Sequence, residues 1–422
     1  MEQLLHYVWK HKIFPLKELK TKDGYLIEVI DTGLHNNDSG PDFFNAKIKI
    51  NGTLWIGNIE IHDRASDWYL HGHDKDKAYD SVILHVVTEI DCEVYRADKE
   101  LIPQVRLTCP EYIIHNFETL VQADRFPPCH RIVKSLPSLM VHSWMSALQT
   151  ERFSAKADVI MERLKKNSGN WEDAFFVTFA RSFGFGLNGD AFELWAGMIP
   201  LRAVDKHRDN LFQIEAIFFG QAGLLEEEIE DEYYRKLQKE FAYMKHKFGL
   251  GIMDASLWRF LRLRPGNFPH VRIAQLAFLY YQERSLFSGI MEAQSIKQVK
   301  TLLRSRTSDY WETHYQFYNP SPRRTKSLSD ASLNLIVINT VVPFLYAYGR
   351  YKGNDALCER AECFLTELKS ENNYVTRMWN EIGLEVNNAA DSQALLQLKK
   401  EYCDKKKCLY CRIGFEFLKS RE

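Results

Sequence analysis

Two carboxylates eighteen residues apart are the strongest chemical signal in the chain: Asp42 in Gly40-Pro41-Asp42-Phe43 and Glu60 in Gly57-Asn58-Ile59-Glu60-Ile61-His62. The residues between them read as strand, turn, strand. Ala46 to Ile50 alternates polar and apolar, Asn51-Gly52 is a hairpin-turn pair, and Leu54 to Ile56 resumes an extended pattern. Strand side chains alternate faces, so Asn58, Glu60 and His62 project to one side while Ile59 and Ile61 point to the other. A polar row of this kind is what a metal cradle needs. Mg²⁺ or Mn²⁺ is held by one or two carboxylates plus water and substrate phosphate, and the backbone carbonyl of Ile61 is a candidate further ligand. Asp42 and Glu60 would hold the ion, and His62, with an unperturbed pKa of about 6.5, would orient or deprotonate the attacking water. His71-Gly72-His73, with Asp67, Asp76 and Asp80, adds candidate ligands downstream; the ordinary alternative is a surface turn whose histidines are merely hydrogen-bonded.

Pro41-Asp42 followed by Glu60-Ile61-His62 resembles the Pro-Asp…(Asp/Glu)-X-Lys signature of the restriction-endonuclease-like nuclease superfamily. The resemblance implies a metal bound by the two acids and a Lys that positions or activates water. Here His62 occupies the Lys position, so His62 or a displaced lysine, Lys47, Lys49, Lys75 or Lys77, would take that role. The element order expected from the sequence also resembles that core: helix Leu4 to Lys10, strand Tyr25 to Ile30, two further strands, helix Asp67 to Tyr79, strand Val82 to Val87. Over nearly its whole length the chain resembles a bacterial protein family of unknown function. That resemblance runs through Gly40 to Phe43, Glu60 to His62, Ser66-Asp67-Trp68, His71 to His73, Leu84 to Val87, Arg264-Pro265, Asn267 to Pro269 and the Cys403-to-Cys411 motif.

Two further residue groups carry possible chemistry. In Cys403-(four residues)-Cys408-(two residues)-Cys411, the short gap lets two thiolates reach one metal, and the intervening lysines favour the thiolate form. Zinc is the simpler ligand, ahead of an iron–sulfur cluster, and the fourth ligand would come from Cys129, His130, Cys358, Cys363 or a distant histidine. The alternative is three reduced cysteines near a helix end. Arg259, Arg262, Arg264 and Arg272, interleaved with Trp258, Phe260 and His270, combine guanidinium forks that match phosphate with rings that stack on bases. Their alternative is an inter-helix loop whose arginines pair with Glu226-Glu227-Glu228.

Positioning these groups requires an α+β protein. Residues 1–125 read as a restriction-endonuclease-like mixed-sheet domain and 126–422 as a larger all-α domain, with Phe126-Pro127-Pro128-Cys129 as the breaker between them. Near-continuous apolarity in Val82 to Val87 marks a central strand, which makes His85 a core histidine unless its face meets Glu60. Glu28 either faces solvent or joins the acidic site. Leu335 to Tyr348 is the most apolar stretch; Asn339 and Pro343 interrupt it, so a buried helix is expected there. The clustered cysteines and an N-terminus without a basic-then-apolar leader point to the cytoplasm, without a membrane partner. A net charge of −1 excludes a coat-like nucleic-acid binder, leaving nucleic acid to local patches. Walker, dinucleotide and nucleophile-elbow motifs are absent from the sequence, which leaves ATPase, dehydrogenase and serine-hydrolase chemistry unsupported. Three readings follow: a metal-dependent nuclease, a non-catalytic nucleic-acid or protein scaffold on a decayed nuclease fold, and a histidine-rich metal hydrolase on a non-nucleic substrate.

Overall fold

The structure, a computed structural model, describes residues 2–13, 19–36, 38–124, 126–283 and 285–420. It divides into two compact units, Met1–Val141 with Lys399–Glu422, and His142–Leu398. This division differs from the expected one, whose boundary residue 125 lies outside the described residues. The C-terminal stretch belongs with the first unit because helix Arg412–Lys419 buries Ile413, Phe417 and Leu418 and packs on a helix of that unit.

The first unit opens with α1 (Glu2–Lys10), which buries Leu4, Leu5, Tyr7, Val8 and Trp9. Its sheet contains β1 (Ile27–Asp31), β2 (Leu34–His35), β3 (Phe43–Ile50), β4 (Thr53–Arg64), β5 (Val82–Glu89) and β6 (Gln104–Arg106). The order is β1-β3-β4-β5-β6, with β2 also paired to β3. β3 runs antiparallel to β1 and β4, whereas β4, β5 and β6 are mutually parallel neighbours. The Asn51-Gly52 turn joins β3 to β4 with Ile50 opposite Thr53, and both turn residues have positive φ, as a tight hairpin needs. β5 is buried from Val82 to Val87, as a strand between two parallel neighbours must be.

The parallel pairing of β4 and β5 requires a crossover, and the sequence predicts one helix there, Asp67 to Tyr79. Instead the crossover is broken into α2 (Asp67–Leu70) and two single 3₁₀ turns, His73–Lys75 and Lys77–Tyr79. The break is at Gly72, whose φ of 76° is left-handed and ends the helix. Trp68, fully buried with Val82, Val87, Val94 and Ile102, anchors the crossover to the sheet. α3 (Glu111–Gln122), not foreseen, buries Ile113, Asn116 and Leu120 at helical spacing.

The second unit is helical apart from a small hairpin, His314–Gln316 with Asn319–Pro320. Its helices include Trp171–Phe183 and Glu232–Phe248, as the expected all-α composition of this part of the chain requires. The apolar segment forms one helical run, Asp330–Lys352, long and apolar enough by length and composition to cross a membrane, with 61% of its most apolar window buried in the protein. A π-helical turn at Val337–Val341 precedes Pro343, where the missing N–H and the ring would otherwise interrupt regular α-helix.

Candidate metal centre

Asp42 stands at the entry to β3, and Glu60 and His62 lie on β4, as the strand pattern predicts. A register shift between Phe43 and Ala46 interrupts the β3–β4 ladder, with Asn45 at φ 57°; bulges of this kind re-aim neighbouring side chains. The Asp42 turn is also held from behind: Asn36 donates its backbone N–H to the Asp42 carbonyl (2.7 Å) and its amide to the Pro41 carbonyl (3.1 Å). The two carboxylates are tied to each other's strand. Glu60 Oε2 accepts from the Asp42 N–H (3.0 Å), and Asp42 Oδ2 accepts from the Ile61 N–H (2.9 Å). Ile61 thus contributes a backbone donor to Asp42, where the sequence suggested its carbonyl as a ligand.

Histidines converge on the remaining carboxylate oxygens. Glu60 Oε1 lies 3.3 Å from His73 Nε2 and 3.6 Å from His62 Nε2. His62 Nε2 is also 3.1 Å from His71 Nδ1, and one ligand atom each of His62, His71 and His73 lie within 4.8 Å of one another. Behind them His62 Nδ1 meets His85 Nε2 at 2.8 Å. A neutral His62 that gives its single proton to His85 keeps its Nε2 lone pair turned towards His71, His73 and Glu60. Such an outer hydrogen bond fixes the tautomer of a metal-binding imidazole. His73 is held in place by stacking on Tyr79 at 3.8 Å between ring centroids.

Burial and crowding set the charge states. Glu60, almost fully buried, has its pKa raised by desolvation, against the pull of His73. Burial and then the neighbouring His85, His73 and His71 press the His62 pKa down to about 2. An imidazole held down in this way is neutral at neutral pH, and its neutral form is the one a metal takes. His85, fully buried, is likewise held down to about 3, chiefly by desolvation. Its face does meet this cluster, paired in register with Glu60, so it is not an isolated core histidine.

A family described as a protein of unknown function matches residues 2–374, a span that contains every residue of this cluster. The chain belongs to the DUF2851 family. No curated protein and no solved structure matches it.

Sequence reasoning missed His6 in this DUF2851 member. It projects from α1 to 3.3 Å from Asp42 Oδ2. Burial opposes its protonation, but Asp42, with Glu2 and Glu60 behind it, outweighs that and raises its pKa. The helix was legible; nothing in the spacing linked it to Asp42. The candidate lysines fall elsewhere. Lys49 pairs with Glu28 at 3.3 Å, which also settles Glu28, and Lys47, Lys75 and Lys77 are exposed with no ion pair to Asp42 or Glu60 among the described residues. Asp67 and Asp76 accept from the backbone N–H groups of Arg64 and Ala78 (3.0 and 2.9 Å), which ties them to turns.

The arginines lie in the second unit. Arg272 is buried, donating to Gln275 (2.8 Å) and Asn267 (2.6 Å) and lying over the Phe185 ring, which corrects its expected place on a binding surface. Arg259, Arg262 and Arg264 are exposed, and among the described residues none pairs with Glu226, Glu227 or Glu228. The three clustered cysteines lie beyond the family match, in the first unit.

Proposed function

We propose that the chain is a metal-dependent phosphodiesterase of the nuclease class, with one metal ion held by Glu60, His62, His71 and His73. The observation that carries this reading is the convergence of three imidazole nitrogens at the end of β4, two of them within 3.6 Å of Glu60 Oε1, beside Asp42. Three imidazoles with a carboxylate favour Mn²⁺ or Zn²⁺ over Mg²⁺, which prefers oxygen ligands and retained water. Such an ion lowers the pKa of bound water and neutralises charge building on the phosphoryl oxygens. Asp42 is placed to share the ion or to orient the attacking water. The His6–Asp42 pair supplies the proton-handling function, His62 being a metal ligand.

The phosphodiester assignment is supported by the element order: helix, four antiparallel strands (the second only two residues long), crossover, parallel strand, with Asp42 entering one strand and Glu60 on its neighbour. A histidine-rich hydrolase acting on a non-nucleic substrate is the second reading, favoured by the same three imidazoles.

The test is cleavage of single- and double-stranded DNA and RNA, and of a small aryl phosphodiester, with Mn²⁺, Zn²⁺ or Mg²⁺. Wild type is compared with Asp42→Ala, Glu60→Ala and His73→Ala. Cleavage by wild type, reduced at least about a hundredfold in each variant, is the expected result for loss of a metal-bound nucleophile. A folded, metal-loaded wild type that cleaves none of these substrates overturns the phosphodiesterase reading.

A further inference from the structure

Four cysteines from opposite ends of the chain belong to the first unit. Cys129 is buried at the start of the 3₁₀ stretch His130–Ser135, and Cys403, Cys408 and Cys411 belong to the segment that returns to this unit. Helix Arg412–Lys419 packs both on that 3₁₀ stretch and on α3. The Asn116 side chain fastens the far end of the helix by donating to the carbonyls of Phe417 (3.2 Å), Leu418 (3.2 Å) and Ser420 (2.9 Å).

The thiol-bearing loop is built as closely. Cys408 begins a single 3₁₀ turn, and Cys411 caps the helix that follows. The turn lies so close to the helix that a Cβ on Gly414 would sit 2.2 Å from the Cys408 carbonyl oxygen. Lys406 takes a left-handed φ of 51° and donates its ammonium to the Val121 carbonyl at the end of α3 (2.7 Å). All four cysteines are free thiols. Cys129 lies near enough to Cys411, Cys403 and Cys408 for a thiolate charge on each to act on it, as Cys403 does to Cys411 and Cys408. Lys399 and Lys406 lie near enough to offset part of that charge. His130, the other nearby candidate, has its Nδ1 3.2 Å from the Pro127 carbonyl, while Cys358 and Cys363 lie on a helix of the second unit.

We propose that Cys129, Cys403, Cys408 and Cys411 are the four thiolate ligands of one soft-metal centre, a zinc ion or an iron–sulfur cluster, that fastens the returning segment to the Cys129 turn. Four ligands close such a site, so its role is structural: the free energy of metal binding becomes folding free energy of the unit that contains it. A thiophilic cation also supplies the charge that four clustered thiolates need to stay ionised. The proposal is independent of the histidine–carboxylate centre, and its readout must be too, since that centre also takes metal.

The experiment therefore reads sulfur-to-metal charge transfer, which imidazole and carboxylate ligands do not give. The full chain is purified without oxygen, and its absorption spectrum, iron, zinc and acid-labile sulfide are measured. A zinc-loaded preparation is then exchanged with Co²⁺. Either an iron–sulfide spectrum with matching iron and sulfide, or thiolate-to-cobalt absorption of four-thiolate intensity, is expected; the first assigns a cluster and the second zinc. Cys129→Ser should lower retained metal at this site at least about tenfold, whereas Cys363→Ser, in an exposed position on helix Asp355–Glu367, should leave it unchanged. If Cys129→Ser does not fold, the wild-type cobalt intensity still counts the thiolates. Wild type with neither spectrum, a cobalt intensity of three thiolates or fewer, or a folded Cys129→Ser protein with undiminished charge transfer would overturn the proposal.

Discussion

Glu60 is the residue on which the metal reading turns. Its carboxyl is buried at the meeting point of His62 and His73, and desolvation raises its pKa, so the metal-free protein holds a proton there further into the neutral range than an ordinary glutamate does. A metal must displace that proton. Affinity for Mn²⁺ or Zn²⁺ should therefore fall as pH drops through the raised Glu60 pKa, and binding should release a proton in that range. Calorimetric titrations in buffers of different ionisation enthalpy measure this release directly. Glu60→Gln should abolish the Glu60 share of it and weaken binding at least about tenfold. Unchanged affinity in Glu60→Gln would remove Glu60 from the ligand set.

Among the elements, the broken crossover matters more than any strand. A continuous helix from Asp67 to Tyr79 is what the residue pattern suggests, yet the left-handed Gly72 ends α2 and starts the turn that sets His73 against Glu60 and Tyr79. A Cβ at Gly72 would meet nothing within 4 Å, so Gly72→Ala adds no clash; its cost is the backbone conformation alone, about 1 kcal/mol. Metal affinity in this variant should fall by more than the loss of fold stability accounts for, because the residue that relaxes is a neighbour of two ligands. Isothermal titration beside urea unfolding separates the two effects. The contrast shows which features could be read from the sequence. β3, β4 and β5 were legible because alternation, an Asn-Gly turn and a continuous apolar run each reflect a local rule. The Asp42–Glu60 pairing was legible because one hairpin brings both residues together. His6 was not, since its partner is set by packing between distant segments, and for the same reason Cys129 could be named only as one of several candidates. α3 was overlooked although Ile113, Phe117 and Leu120 carry helical spacing. The end of the helix at Gly72 was overlooked because a single glycine is tolerated inside a helical pattern.

For the whole molecule, the response to acid is governed by buried groups of opposite habit. In the second unit His270 is buried among Phe219, Phe260, Trp311 and Phe317, and desolvation lowers its pKa to about 3. The unfolded chain protonates this imidazole near 6.5 while the folded chain does not, so between those values the unfolded state binds more protons and stability is lost as pH falls. Glu215 does the reverse. Almost fully buried, with hydrogen bonds from Tyr233 and Ser308, it has its pKa raised to about 7 by desolvation. It keeps its proton in the folded state while the unfolded chain has lost it, so from about 4.5 to about 7 its contribution is lost as pH rises. Where the two windows overlap, their slopes, each at most roughly 1.4 kcal/mol per pH unit, oppose each other. Removing one should expose the other. With metal chelated, His270→Phe should make the urea midpoint fall more steeply, or rise less, with increasing pH between about 4.5 and 6.5 than in wild type, and Glu215→Gln should shift the slope the opposite way. The comparison is of slopes, so it is insensitive to any uniform destabilisation by either substitution. Parallel profiles for wild type and both variants would show that neither group changes its proton occupancy on folding.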